Sequence, residues 1–328
     1  MYIVFLLVGL VLILFGADCL TDGAAEVAKR FRLSEFVVGL TVIAIGTSTP
    51  ELAVSFLSAI KGQTEMAVGN VVGSNIFNIF VTVGICALIA PIALTRNNIR
   101  RDIPICMAVS LLLLACGCYG SIQRPMGIAM VVLYIGCLWY TVRTSRPETE
   151  NIATAAENAS AKPSTASKPA KEVRHHSPWI LAAMIVGGLC ALVGGGEMFV
   201  HGATELARRL GVSESIIAIT LVAGGTSLPE LASSAVSLIK GRGAMALGNA
   251  IGSNTANILL VLGVSATAHP LTFGSIGMTD LCMVLAGSVL LLLTAFTFRR
   301  RAIDRWEGSI FVIIYTAYII WLIKSNGQ

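Results

Sequence analysis

Residues 46–80 recur, in order and without a gap, as residues 225–259: 21 of the 35 positions are identical at an offset of 179. Gly46-Thr-Ser-Thr-Pro-Glu51 falls on Gly225-Thr-Ser-Leu-Pro-Glu230, and Lys61-Gly62 on Lys240-Gly241. Gly69-Asn-Val-Val-Gly-Ser-Asn-Ile-Phe-Asn78 falls on Gly248-Asn-Ala-Ile-Gly-Ser-Asn-Thr-Ala-Asn257. The register extends upstream through Ser34-Glu35 on Ser213-Glu214, Glu26 on Glu205 and Gly23-Ala24 on Gly202-Ala203. A chain that contains itself twice must fold as two related halves.

Each half is built from apolar runs of the length a bilayer requires, about 20 residues. Ten spans are expected: roughly 3–28, 35–60, 67–91, 102–120, 125–143, 178–207, 214–239, 246–268, 277–297 and 306–323. The runs are continuous rather than alternating, which excludes a β-barrel. The chain is 55% hydrophobic and 12% charged, about half the charge of a soluble domain. Composition therefore excludes a soluble enzyme. Eight Cys in 328 residues are too sparse for a disulfide scaffold and serve as small apolar filler. Cys116-Gly-Cys118 reads the same way rather than as a metal site.

Of the 23 Lys and Arg residues, 18 fall in the loops after spans 1, 3, 5, 7 and 9, and 5 on the other side. The positive-inside rule puts both termini outside and the odd loops in the cytoplasm of a cell-membrane protein. The net charge of +5 is then a topology signal and not a nucleic-acid footprint. The first span lacks a basic n-region and takes part in the repeat, so it reads as a mature helix rather than a signal peptide. Residues 144–177 are rich in Ser, Thr, Ala, Pro, Glu and Lys and read as a flexible cytoplasmic linker between halves 1–143 and 178–328. The Asn158-Ala-Ser160 sequon would be out of reach of glycosylation there, and His175-His176 reads as a solvated pair. Five spans per half is an odd number, so the second half enters the membrane from the opposite side. Inverted repeats are the architecture of alternating-access carriers, with substrate held near the midplane.

The duplicated motif lies mid-span. Pro lacks an N–H and Gly weakens a helix, so spans 2 and 7 are expected to break there. An opened ladder would free the carbonyls of Ala44 and Thr47. Together with the hydroxyls of Thr47 and Ser48 and the Glu51 carboxylate, these are hard oxygen ligands suited to Na⁺, Ca²⁺ or Mg²⁺. A Glu at the bilayer centre costs at least about 2.5 kcal/mol and is a functional-site hypothesis by default. No Lys, Arg or His lies in the middle of spans 2, 3, 7 or 8, so cations or protons must supply the counter-charge for Glu51 and Glu230. Ser74 with Asn78, and Ser253 with Asn257, share a helix face as i,i+4 pairs and form a second wall. Gly69 and Gly73 form a small-residue face for close helix approach. Asn70, Asn75, Asn249 and Asn254 read as packing residues pointing elsewhere. Asp18, Asp22 and Glu26 step by four along span 1, as do Glu197, His201 and Glu205 along span 6. Two readings of these stay open, an ion access path or solvated stripes.

Gly-Thr-Ser-x-Pro-Glu followed by Gly-Ser-Asn-x-x-Asn, present twice, resembles the cation/Ca²⁺ exchanger superfamily, specifically its short prokaryotic sodium/calcium exchanger-like members. The resemblance covers nearly the whole chain. It implies a Ca²⁺ site between Glu51 and Glu230 with backbone oxygens of Thr47 and Thr226. It implies flanking Na⁺ sites using Ala44, Ser48 and Ser74 in one half and Ala223, Ser227 and Ser253 in the other. Asn78 and Asn257 would complete a central position. Several characterised relatives carry Asp where this chain has Asn257, so here the site holds two carboxylates rather than three.

Two carboxylates are neutralised by one Ca²⁺, two Na⁺ or two protons, whereas an empty site drags its charge through low dielectric. The expectation is a carrier and not an enzyme: a Ca²⁺/Na⁺ antiporter that needs no cofactor, sits in the lipid bilayer and works as a monomer. A H⁺/Ca²⁺ antiporter on the same fold and a passive cation channel are the alternatives.

Overall fold

The computed structural model describes residues 2–144, 177–211, 223–274, 276–297 and 301–326. The expected linker with Asn158 and His175-His176, Arg299 and Arg300, and the opening of the expected seventh span lie outside the described residues. The first half comprises α1 (Tyr2–Phe31), α2 (Glu35–Thr47), α3 (Thr49–Ile60), α4 (Thr64–Ile89), α5 (Asn98–Tyr119) and α6 (Arg124–Thr144). The second comprises α7 (Pro178–Arg209), α8 (Ala223–Gly225), α9 (Leu228–Ile239), α10 (Gly243–Ala268), α11 (Met278–Leu293) and α12 (Arg305–Asn326).

Among the described residues seven helices are long and apolar enough to cross a membrane, or eight if the bent pair α2–α3 is one span. The ten expected from sequence are therefore not all present by this measure, for two reasons. The upstream part of the seventh span belongs to residues 212–222, outside the described set. The ninth, α11, stops after 16 residues, about 24 Å of helix at 1.5 Å per residue, as the chain turns at Thr294–Phe296 toward the next element.

The chain is also not purely helical. Two-residue strands β1 (Ile92–Ala93) and β4 (Ala302–Ile303) pair antiparallel, as do β2 (Ser121–Ile122) and β3 (Leu271–Thr272). Each ladder joins a loop of one half to a loop of the other. Two residues are too few to show the period-two alternation by which a strand is read from sequence.

Local sequence explains the helix ends. After α3 and α9, Gly62 and Gly241 adopt φ of 75° and 78°, the left-handed turn that glycine enters without strain. The next N–H then bonds back: Gln63 to the Ser58 carbonyl and Arg242 to that of Ser237, both at 2.8 Å. This is the helix C-terminal motif behind the repeated Lys-Gly pair.

The loops sort to two ends. At one, Thr64 bonds Thr272 across 2.7 Å and Arg124 donates to the Ala268 carbonyl. At the other, where α4 ends and α10 begins, β1 meets β4, Arg101 reaches Thr144, and Lys240 meets Asp18. The second end carries Thr144, where the linker begins, and is called the linker face below.

Helices α1 and α7 lie against each other through glycines spaced by seven. A Cβ on Gly9 would sit 2.8 Å from the Gly195 carbonyl, and one on Gly16 2.6 Å from that of Gly188. Gly202 approaches the Tyr2 carbonyl in the same way. Backbones this close need small residues and gain dispersion over the whole length. The main core packs α4 and α10 together with α5, α6, α11 and α12. Asn75 and Asn254 belong to this contact: Asn254 donates to the Asn75 carbonyl at 3.2 Å, and Asn75 to its own helix at Val71.

Candidate cation site

The helix break falls where Pro and Gly predict it. Between α2 and α3 the axis bends by 45° at Ser48, whose φ and ψ are −81° and 6°. Ser227, ahead of α9, has nearly the same angles, −92° and 4°. Pro50 and Pro229 occupy the first turn of the following helix, the one place in a helix where a missing N–H does no harm. A π-helical stretch, Gly39–Ile43, precedes the first break. The glycines have a packing reason as well. A Cβ on Gly46 would lie 2.6 Å from Leu189, and one on Gly225 2.6 Å from Val200, both on α7.

Each break aims its Glu at the other half. Glu51 and Glu230 are both fully buried. Ser48 donates to Glu230 Oε1 at 3.2 Å, and Ser227 donates to Glu51 Oε1 at 3.4 Å. Ser74 on α4 adds a third contact, to Glu51 Oε1 at 3.3 Å. The two hydroxyl–carboxylate bonds cross between halves, so the duplicated motifs form one site rather than two. Neither Glu enters an ion pair among the described residues. Oε2 of each makes no hydrogen bond, and buried carboxylate oxygens in that condition require a cation or a proton.

Asn78 and Asn257 are fully buried on the neighbouring walls, and neither Oδ1 nor Nδ2 of either makes a hydrogen bond. Ser253 Oγ is likewise without a partner. These are oxygen donors withheld from protein hydrogen bonding. Both Asn residues begin π-helical turns, Asn78–Val83 and Asn257–Val261, the local widening often found at functional positions in helices. Among the described residues no three of His, Cys, Asp and Glu come together. The two carboxylates are therefore supplemented by neutral oxygens, a set that suits hard cations.

One expected ligand keeps its helical bond and has a single lone pair to spare. The Ala44 carbonyl, expected to be released by the break, accepts the Ser48 N–H at 3.0 Å and lies 3.5 Å from the Thr47 hydroxyl. The ladder opens two residues later, because it is Pro50 that has no N–H to offer Gly46. Thr47 and Thr226 hydroxyls turn to the opposite half and donate to Asn249 at 3.3 Å and Asn70 at 3.5 Å. Each hydroxyl is thereby oriented by a bracing amide, and its oxygen keeps lone pairs beside the backbone oxygen of the same residue. Ala223 begins α8, directly before the second motif.

The sequence reading missed what Asn70 and Asn249 do. Asn249 donates to the Glu230 carbonyl at 3.2 Å and to Ser233 and Ser234 hydroxyls. Asn70 donates to the Glu51 carbonyl at 3.3 Å and to Ser55 at 2.9 Å. Each amide thus holds the broken helix of its own half while accepting a Thr from the other. The signal was present: 70, 74 and 78 step by four, so Asn70 shares the face of Ser74 and Asn78 instead of pointing elsewhere. The small-residue face is used too. Cβ atoms on Gly248 and Gly252 would lie 2.2 Å and 2.5 Å from the Phe36 and Leu40 carbonyls of α2. The segment that would face Gly69 and Gly73 by the repeat lies outside the described residues.

Cys116 is buried and Cys118 exposed, two faces of one helix. On α7, Glu197 and His201 are exposed, His201 stacking edge-on against Phe5.

The pattern of the family described as sodium/calcium exchanger protein matches residues 1–143 and 180–324. The chain is 35% identical to the putative antiporter CaxA of Alkalimonas amylolytica, covering 98% of each chain. It is 31% identical to the sodium/calcium exchanger MaX1 of Methanosarcina acetivorans, covering 97% of each. Among solved structures, the sodium-calcium exchanger NCX_Mj soaked with zero Na⁺ and Ca²⁺ superposes with a TM-score of 0.80 at 31% identity, covering 98% of both chains.

Proposed function

Because the chain belongs to the sodium/calcium exchanger protein family, we propose that it exchanges Ca²⁺ for Na⁺ across a membrane by alternating access. The observation that carries this reading is the Glu51–Glu230 pair, fully buried and bridged crosswise by Ser48 and Ser227. A site with two carboxylates and no cationic side chain is stable only when loaded. One Ca²⁺ or two Na⁺ balance its charge, so the loaded carrier changes sides and the empty one does not. Antiport then follows from electrostatics without a separate coupling device.

In this reading Ca²⁺ lies between Glu51 and Glu230 with the Thr47 and Thr226 carbonyls. Na⁺ positions use Ser48, Ser74 and the Ala44 carbonyl on one side, and Ser227, Ser253 and the Ala223 carbonyl on the other. Asn78 and Asn257 close the centre. The chain crosses the cell membrane ten times as two inverted five-helix repeats, both termini outside and residues 144–177 cytoplasmic. One chain contains both halves of the site, so a monomer suffices. The glycine-locked pair α1–α7 slides as a unit over the fixed core, exposing the site to one face and then the other.

The test is ⁴⁵Ca²⁺ uptake into sealed vesicles containing the full chain under an outward Na⁺ gradient. Uptake is expected, and Glu51→Gln and Glu230→Gln should each reduce it at least a hundredfold. Uptake driven only by a pH gradient, or needing no gradient, would contradict the reading.

A further inference from the structure

The two halves repeat in sequence but differ in packing. Helix α1 packs along α9, whereas its repeat-mate α7 makes no comparable contact with α3. Where α1 meets α9, charges bind them at the linker face. Lys240 Nζ lies 2.6 Å from Asp18 Oδ1 and 2.9 Å from Asp22 Oδ1. Arg242 lies 3.0 Å from Asp22 and 3.8 Å from Glu35. Lys240 also donates to the Asp18 carbonyl and Arg242 to that of Thr21, and below them the buried hydroxyls of Thr21 and Ser237 touch at 3.2 Å.

Shifted by 179 positions, this cluster maps onto Lys61 for Lys240, Gln63 for Arg242, Glu197 for Asp18 and His201 for Asp22. Lys61 and Glu197 are both exposed, and neither forms an ion pair among the described residues. The same charges are thus engaged at one face and apart at the other. In an inverted-repeat carrier the opposite state is reached by exchanging the conformations of the halves.

We propose that Asp18, Asp22, Lys240 and Arg242 form a latch that closes the linker face, and that Lys61 and Glu197 pair in its place when the opposite face closes. The two latches are unequal. The first joins two acids to two bases, with Glu35 in addition. The second has one acid and one base of that quartet, since Gln63 and His201 stand where Arg242 and Asp22 do; Glu35 has its sequence counterpart in Glu214 and does not distinguish the two. Unequal latches bias the resting equilibrium toward the closed linker face, independently of the ions. The inference rests on the alternating-access reading for its transport consequence but not for its structural one.

A carbodiimide joins Lys to Asp or Glu in direct contact and so reads both latches without engineered cysteines. The full chain in vesicles should couple Lys240 to Asp18 or Asp22, with little Lys61–Glu197 product by mass spectrometry. Lys240→Ala with Arg242→Ala should raise the Lys61–Glu197 product about three- to tenfold, the shift expected from removing both bases of a partly exposed ion-pair cluster. Asp18→Lys with Lys240→Asp, which restores the pair with its charges exchanged, should return that product toward the starting level. No rise in the double variant, or a rise that the exchanged pair does not reverse, would overturn the proposal. A transport readout separates it from the exchanger reading. Removing the first latch should lower the Ca²⁺ concentration for half-saturation at the linker face and raise it at the other, and Lys61→Ala should do the reverse. An exchanger whose two half-saturation values do not move in opposite directions would refute the latch alone. Absence of exchange in the unaltered chain would refute the exchanger reading alone, leaving the coupling result to decide the latch.

Discussion

At the residue scale the site consists of two tiers with different work. Glu51, Glu230, Asn78, Asn257 and Ser253 keep oxygens that nothing among the described residues satisfies. Asn70 and Asn249 spend every polar atom holding the broken helices in place. Asn249→Ala removes donors from the Glu230 carbonyl and two serines at once. It should weaken Ca²⁺ binding about tenfold or more, a loss of about 1.5 kcal/mol, the value of one or two buried hydrogen bonds. Equilibrium binding to the purified chain checks this, and unchanged affinity would refute the bracing role. Gly62→Ala forces a Cβ into a left-handed turn where nothing else hinders it. It should lower stability by about 1 kcal/mol, visible as a lower thermal midpoint in detergent. The duplicated Glu and Ser residues were legible because apolar surroundings give a charge no routine reason to be there. The bracing of Asn70 was legible only as a shared face with Ser74 and Asn78, because its partners Glu51 and Ser55 lie on another helix.

At the scale of elements, the breaks at Ser48 and Ser227 were legible from Pro and Gly, which act locally. The π-helical turns at Asn78 and Asn257 were not, since a one-residue widening leaves apolar periodicity almost unchanged. The paired strands escaped for the same reason of length, and α11 ends early because loop and ladder geometry, not hydropathy, sets its last turn. The glycine seam of α1 and α7 was visible only as two glycine-bearing spans; the structure adds the seven-residue register. Gly188→Val would place atoms beyond a Cβ that already sits 2.9 Å from the Gly16 carbonyl. The two helices must then part, and folded yield in membranes should fall severely. A well-folded variant with normal transport would show that the seam is dispensable. If the pair slides as a unit, a cysteine crosslink between α1 and α2 should stop transport while one between α1 and α7 should not. Normal transport with α1 fixed to α2 would sink the sliding mechanism.

At the scale of the whole molecule, the repeat at offset 179 carries the largest share of the account. It made two half-sites one problem, and the crossed bonds Ser48–Glu230 and Ser227–Glu51 realise it. Which state the molecule occupies was beyond sequence, because a repeat is symmetric while any one conformation of a carrier is not. The engaged charges on the linker face and the separated ones opposite supply that information. The central claim is that one pair of carboxylates holds either ion and never both. The most direct measurement is equilibrium Ca²⁺ binding to the purified full chain during Na⁺ titration, repeated with Glu51→Gln and Glu230→Gln. The account predicts that Na⁺ displaces Ca²⁺ competitively, with a Hill coefficient above one because more than one Na⁺ replaces each Ca²⁺, and that both variants lose high-affinity binding. Ca²⁺ binding that Na⁺ does not displace, or that survives either substitution, would contradict it.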